Sequence, residues 1–166
     1  DGVISIGADA FRDCKALAEI SISASVTELG SGAFSGCPGL AKISVSKANG
    51  KYYSAGNCII ETATGTLVVG CSTSVIPGDK NITRIGARAF TGCTGLKNIV
   101  IPDTITDIEN DAFHGCSELE GVVLGSGLKH IGNQAFYNCL KMKSIVIPDG
   151  VISIGADAFY KCKALT

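Results

Sequence analysis

The sequence predicts a solenoid of the α/β class: short units stacked into a curved rod with a parallel β-sheet, short helical or 3-10 turns between strands, and one β-hairpin insertion. Three observations carry this. Phe11, Phe34, Phe90, Phe113, Phe136 and Phe159 are spaced by 23, 56, 23, 23 and 23 residues, each with Ala one place before and Cys three places after. Every unit continues into an alternating apolar pair. A single stretch interrupts the period. A fixed period of this length marks a repeat architecture, in which one unit cannot cover its own apolar face and neighbours must stack.

The elements follow in chain order. After each Cys of the motif come Ile20 and Ile22, Ile43 and Val45, Ile99 and Ile101, Val122 and Leu124, and Ile145 and Ile147. Alternation at period two is the pattern of a strand with one buried face. Between strands, Ile-Gly-x-x-Ala-Phe-x-x-Cys sets small Ala beside large Phe, which reads as one helical or 3-10 turn with Phe packed inward. The spacing of 56 equals 23 plus 33, so one enlarged unit, residues 47–80, replaces a regular one. It lacks the Ala-Phe motif. There, Asn57–Glu61 and Thr66–Gly70 flank Thr62-Ala63-Thr64-Gly65, a hairpin pattern with Gly at the turn. One domain over 1–166 is expected, with regular repeats at 1–46 and 81–166. Residues 1–17 match 149–165 at all but two positions and neither end reads as a cap, so the chain is expected to be a piece of a longer array.

Composition narrows function. With 14 basic against 15 acidic residues, net charge −1, no global field favours nucleic acid or an anionic membrane. No segment reaches the roughly 18 apolar residues that cross a bilayer, so no membrane insertion is expected within this segment. The 21 glycines suit many tight turns. No nucleotide-binding, zinc-protease or hydrolase motif occurs, so no catalytic, cofactor or metal site is predicted.

The motif Ile-Gly-x-x-Ala-Phe-x-x-Cys-x-x-Leu followed by Ile-x-Ile-Pro-Asp, at Ile85–Asp103 and in near-identical form at Ile131–Asp149, resembles the BspA-like leucine-rich repeat proteins. The enlarged stretch Asn57–Pro77 is similar to a repeat that interrupts such arrays in gut bacteria. The resemblance implies a right-handed, horseshoe-like leucine-rich repeat solenoid of a secreted or cell-surface bacterial protein. It implies adhesion to a protein or glycoprotein ligand of the extracellular matrix, a host cell or another microbe. It carries no catalytic residue.

Individual residues are weighed against plain structural roles. Cys14, Cys37, Cys93, Cys116, Cys139 and Cys162 share one repeat position and read as a ladder of buried thiols, because parallel side chains fit a disulfide poorly. Cys58 and Cys71 flank the hairpin, where a cross-strand disulfide and two free thiols both remain open. In the simple hairpin register Cys58 faces residue 69. His114 and His130 occupy variable, mostly polar repeat positions and read as solvent-facing, with no carboxylate or nucleophile repeatedly beside them. Asn81-Ile82-Thr83 matches a glycosylation acceptor.

Between the buried strand positions lie Ser21 and Ser44 early on, then Val100, Val123 and Val146. Alternation sends them to the open face. The three valines, rimmed by Asn98, Ser144, Lys97 and Lys143, form the candidate binding surface; ordinary packing of β-branched residues along a ladder is the competing account. Lys141, Lys143, Lys161 and Lys163 are a second candidate, as a basic group for an anionic ligand. Tyr52 and Tyr53 beside the hairpin are a third. The predicted function is a non-enzymatic binding or adhesion module, the alternative being a spacer solenoid that displays another domain.

Overall fold

The structure, a computed structural model, describes residues 2–166. Its elements are β-strands alone: β1 Ser5–Ile6, β2 Glu19–Ile22, β3 Glu28–Leu29, β4 Lys42–Val45, β5 Tyr52–Ala55, β6 Cys58–Glu61, β7 Thr66–Val69, β8 Arg84–Ile85, β9 Asn98–Val100, β10 Asp107–Ile108, β11 Gly121–Val123, β12 His130–Ile131 and β13 Ser153–Ile154. Among the described residues there is no helix, so the chain is a β-solenoid and not the predicted α/β fold.

Each regular unit touches its neighbours along three sides. One side holds the strands after the Cys, paired in parallel as β2 with β4 and β9 with β11. In the last such unit only a bridge from Ser144 to Gly121 continues the ladder. The second side holds two-residue strands at the Ile-Gly step, paired in parallel as β1 with β3 and as β8, β10, β12 and β13 in sequence. This second ladder was not legible as strand, because two residues are too short to display alternation. The parallel registers between regular units join residues 23 apart, as Asp107 with His130, so equivalent positions stack, whereas β7 of the enlarged unit joins β8 with Thr66 opposite Arg84.

The Phe-bearing turns make the third side, where helical turns were expected. The residues two before and two after each Phe adopt positive φ: Asp9 and Asp13, Gly32 and Gly36, Arg88 and Gly92, Asp111 and Gly115, Gln134 and Asn138, Asp157 and Lys161, between 54° and 72°. A right-handed helix cannot contain such residues. Their alternation instead turns every second N–H along the rod axis, so Asp111, Phe113 and Gly115 donate to the carbonyls of Asn133, Ala135 and Tyr137 at 2.9, 2.7 and 2.8 Å. Hydrogen bonds between units replace those a helix would make within one.

Inside, the Phe rings stack at centroid distances of 4.8 to 5.4 Å, for example Phe90 on Phe113 and Phe113 on Phe136. Burying one such ring contributes about 1.5–3 kcal/mol, with roughly another 0.5–1.5 from the aromatic pair. The Cys ladder has a polar duty as well. Cys37, Cys116, Cys139 and Cys162 donate Sγ–H to the carbonyl of the Phe in the preceding unit at 3.1 to 3.4 Å. Cys14 departs from the expected buried ladder and is exposed.

The enlarged unit holds the predicted hairpin, β6 with β7, but Tyr52 and Tyr53 add a third antiparallel strand, β5, against β6. A bulge between Ile59 and Ile60 sets Ile59 and not Cys58 opposite Val69. This meander divides the core: Cys58, Ile60 and Leu67 pack toward Phe90, while Ile59, Val69 and Cys71 pack toward Phe34. Cys58 and Cys71 are both buried free thiols, and burial pushes the Cys58 thiol up to about 12. Asn57 pins the meander to β4: its Oδ1 accepts from Ile43 N–H at 2.6 Å and its Nδ2 donates to Ala41 C=O at 2.8 Å. Three strands, β5, β6 and β7, thus intervene between β4 and β8, yet on the Phe side Gly36 N–H donates straight to Thr91 C=O at 2.9 Å. The enlarged unit is a wedge.

Candidate functional site

The side formed by β9, β11 and the Ser144 bridge carries Val100, Val123 and Val146, which are 60, 59 and 81% exposed. Their neighbours Ile99, Ile101 and Val122 are buried, which fixes the strand and forces the valines outward. Val123 pairs with Val100 in the parallel register. A groove of about 340 Å³ runs along this face past Val123, Leu124, Ile145, Val146 and Pro148. A second, of about 290 Å³, joins Val100 and Asn98 to Val75, which is 71% exposed. Sequence reasoning missed Val75, because the irregular unit gives it no repeat position.

The rim of this face is polar and charged. Asn98 lies against Gly121, where even a Cβ would meet the Asn98 amide oxygen. Lys143 Nζ and Lys141 Nζ each lie 2.7 Å from a carboxylate of the preceding unit, Glu120 and Glu118. The Lys143 hydrogen bond holds the Glu120 carboxyl below the usual carboxylate range. Lys161 sits over the Tyr137 and Tyr160 rings at 5.5 and 5.6 Å. Of the basic group, Lys141 and Lys143 are thus neutralised by carboxylates and Lys161 is taken up by the aromatic rings. On the other half of the same side, Ser21 and Ser44 keep the face polar, and Ser44 Oγ donates to Ile20 C=O at 3.3 Å.

The β8–β10–β12–β13 side stacks Arg84, Asp107, His130 and Ser153, the last three lining a groove of about 370 Å³. His130 Nδ1 meets Ser153 Oγ at 2.9 Å, and Asp107 is its partner on the opposite strand. His130 thus has one hydroxyl and one carboxylate-bearing residue as neighbours in its column, a single instance and not a repeated arrangement. The physical reason is the period: stacking at 23 residues turns one repeat column into contacts. His130 and Ser153 are both exposed, so water competes for their hydrogen bond and screens the nearby carboxylate. Asp107 Oδ2 accepts the Thr106 hydroxyl at 2.6 Å. His114 is half-buried and stacks on Tyr137 at 4.7 Å, so it belongs to an aromatic ladder and is not simply solvent-facing.

Tyr52 is buried, its hydroxyl accepting from Leu29 N–H at 3.1 Å, whereas Tyr53 is half-buried and lines a groove with Asp79 and Asn81. Asn81 is exposed. Among the described residues no group of three or more His, Cys, Asp or Glu is placed to hold a metal ion. Among the same residues no helix is long and apolar enough to cross a membrane.

Comparison with known proteins agrees with this geometry. A leucine-rich cell surface protein of Faecalibacterium prausnitzii A2-165 is 31% identical, with a TM-score of 0.83 over 98% of this chain and 44% of its own. A leucine-rich repeat protein of Bacteroides ovatus is also 31% identical, with a TM-score of 0.65 over 98% of this chain and 40% of its own. The pneumococcal vaccine antigen PcpA, at 22% identity and a TM-score of 0.76 over 92% of this chain and 38% of its own, shares the fold. The chain thus spans less than half the length of each. No curated protein matches it. The family of the BspA type leucine rich repeat region matches residues 1–58 and 69–166 in six copies, and the chain belongs to that family.

Proposed function

We propose that this solenoid is a non-enzymatic recognition module of a secreted or cell-surface protein, which binds a macromolecular ligand through the face bearing Val100, Val123 and Val146. The observation that carries the reading is the exposure of these three valines, 60, 59 and 81%, at equivalent positions of stacked units, beside buried Ile99, Ile101 and Val122. A scattered exposed Val needs no explanation, but a contiguous apolar strip with a polar rim has the composition of an interaction patch. The strands are held by backbone ladders and a stacked Phe core, so little side-chain or loop ordering opposes association. The F. prausnitzii relative, described as a cell surface protein, supports the extracellular setting.

The test is biolayer interferometry of the purified chain against matrix proteins, mucin glycans and host-cell surface protein. A Val100→Glu/Val123→Glu/Val146→Glu variant, shown folded by circular dichroism, is run beside it. Saturable binding lost in the variant is the expected result. Binding that persists unchanged in the variant overturns the assignment of the face, and absence of binding by the wild-type chain returns the array to a spacer role.

A further inference from the structure

The valine face is bordered by charge in a pattern that specifies its partner. Three residues before the central valine of successive units stand Lys97, Glu120 and Lys143; three residues after it stand Asp103, Ser126 and Asp149. Both borders flank the strip, Lys97, Glu120 and Lys143 immediately ahead of the strand positions and Asp103, Ser126 and Asp149 in the turns that follow them. Within the first border Lys143 is paired with Glu120 at 2.7 Å, which leaves that border a net positive charge from Lys97. Within the second, Ser126 donates to Asp103, and Asp103 and Asp149 leave it net negative, so the two borders carry opposite net charge.

We infer that the ligand of this face is a second copy of the same chain, packed valine strip on valine strip about a two-fold axis that runs along the strip. This rests on the reading of the face proposed above. Rotation about that axis leaves each unit at its own level and exchanges left and right. Lys97 then faces Asp103 of the second copy, Lys143 faces Asp149, Glu120 faces Ser126, and each contact occurs twice. The other face-to-face two-fold, with its axis across the strip, sets Lys97 against Lys143 and Glu120 against itself. Charge thus selects one arrangement and opposes the other, which is how complementary borders give specificity. An isologous contact of this kind uses one patch on both partners.

Magnitude decides the strength. Three strands at about 4.8 Å and six residues at about 3.3 Å give a patch of roughly 300 Å², well under the ~800 Å² per partner of a stable complex. One contact is transient. Many copies displayed on a surface would engage cooperatively through effective concentration, so the contact suits homophilic attachment between surfaces better than a permanent dimer.

The test is sedimentation equilibrium up to about 1 mM, the range where such weak contacts populate, on the wild-type chain, Lys143→Asp, Asp149→Lys, and an equimolar mixture of the two variants. Wild type should self-associate. Each variant alone should associate about tenfold more weakly, because two like-charge contacts replace two ion pairs. In the mixture the two substituted positions meet each other and the two native ones meet, so association should return to within about threefold of wild type. A wild-type chain that stays monomeric, or a mixture no stronger than its components, overturns the inference. The triple glutamate variant separates this from the broader reading: ligand binding lost in that variant, with no self-association of wild type, refutes the homophilic partner and leaves the face.

Discussion

Replacing Asn57 by alanine removes the bracket that joins the meander to β4. The Asn57 side chain accepts from Ile43 N–H at 2.6 Å and donates to Ala41 C=O at 2.8 Å and Thr73 Oγ1 at 2.6 Å. Ala41 C=O keeps a second donor in Thr73 Oγ1 at 2.8 Å, but the Ile43 N–H bond is lost outright. An orphaned, partly buried donor costs about 1–3 kcal/mol and each other lost bond about 0.5–1.5. Asn57 also sits at φ 61°, a region that alanine tolerates less well than asparagine, for about 1 kcal/mol more. Since Ala41 is still satisfied, the orphaned donor, the lost Thr73 bond and the backbone sum to about 2.5–5.5 kcal/mol, or a fall in Tm of roughly 5–20 °C for a chain of this length. Asn57→Gly loses the same bonds but relieves the backbone, so it should be about 1 kcal/mol milder. Urea unfolding followed by circular dichroism measures the differences, and amide exchange at Ile43 should become fast in both variants. A loss under about 1 kcal/mol in the alanine variant, or a protected Ile43 amide, would refute the assignment of Asn57 as the clamp.

The remaining expectations concern thiols, close packing and pH. Thiolate is the reactive form, and burial pushes Cys58 and Cys116 to about 12; of the eight cysteines only Cys14 is exposed. A chromogenic disulfide reagent at pH 8 should therefore release about one equivalent rapidly from the native chain, and rapid release of most of the thiols would contradict the buried ladder. At Gly70 a Cβ would come within 2.1 Å of the Phe90 ring, so Gly70→Ala should destabilise by about 1–3 kcal/mol; a neutral effect in thermal unfolding would show that Phe90 does not occupy this space. Glu120 has its folded carboxyl lowered by Lys143, so the pair contributes above the unfolded carboxylate range and is lost as pH falls through the lowered folded value. Carboxyl-carbon NMR should show the Glu120 midpoint rise in Lys143→Ala, and an unmoved midpoint would discount the pair.

Much of the architecture is readable from residue spacing, because a stack obeys its period. Phe at 23-residue intervals predicts the ring column, and alternation after each Cys predicts β2, β4, β9 and β11. The turn residues Thr62–Gly65 predict the β6–β7 hairpin. The exposed valines follow from the same alternation, since a buried Ile99 and Ile101 leave Val100 no inward direction.

What spacing does not contain is the set of bonds made between units. Ile-Gly-x-x-Ala-Phe-x-x-Cys reads as a helical turn locally, yet Asp111 and Gly115 take positive φ because their N–H groups reach carbonyls of the next unit. That choice exists only once the neighbour is stacked. The wedge is of the same kind: chain order separates Gly36 from Thr91 by an entire enlarged unit, and only packing closes them into a 2.9 Å hydrogen bond. His130 met Ser153 and Asp107 because stacking converts a repeat column into contacts. Local pattern determines which face of a residue is apolar; the partner of each backbone N–H and C=O is settled by the units on either side, since burial leaves every such group needing one.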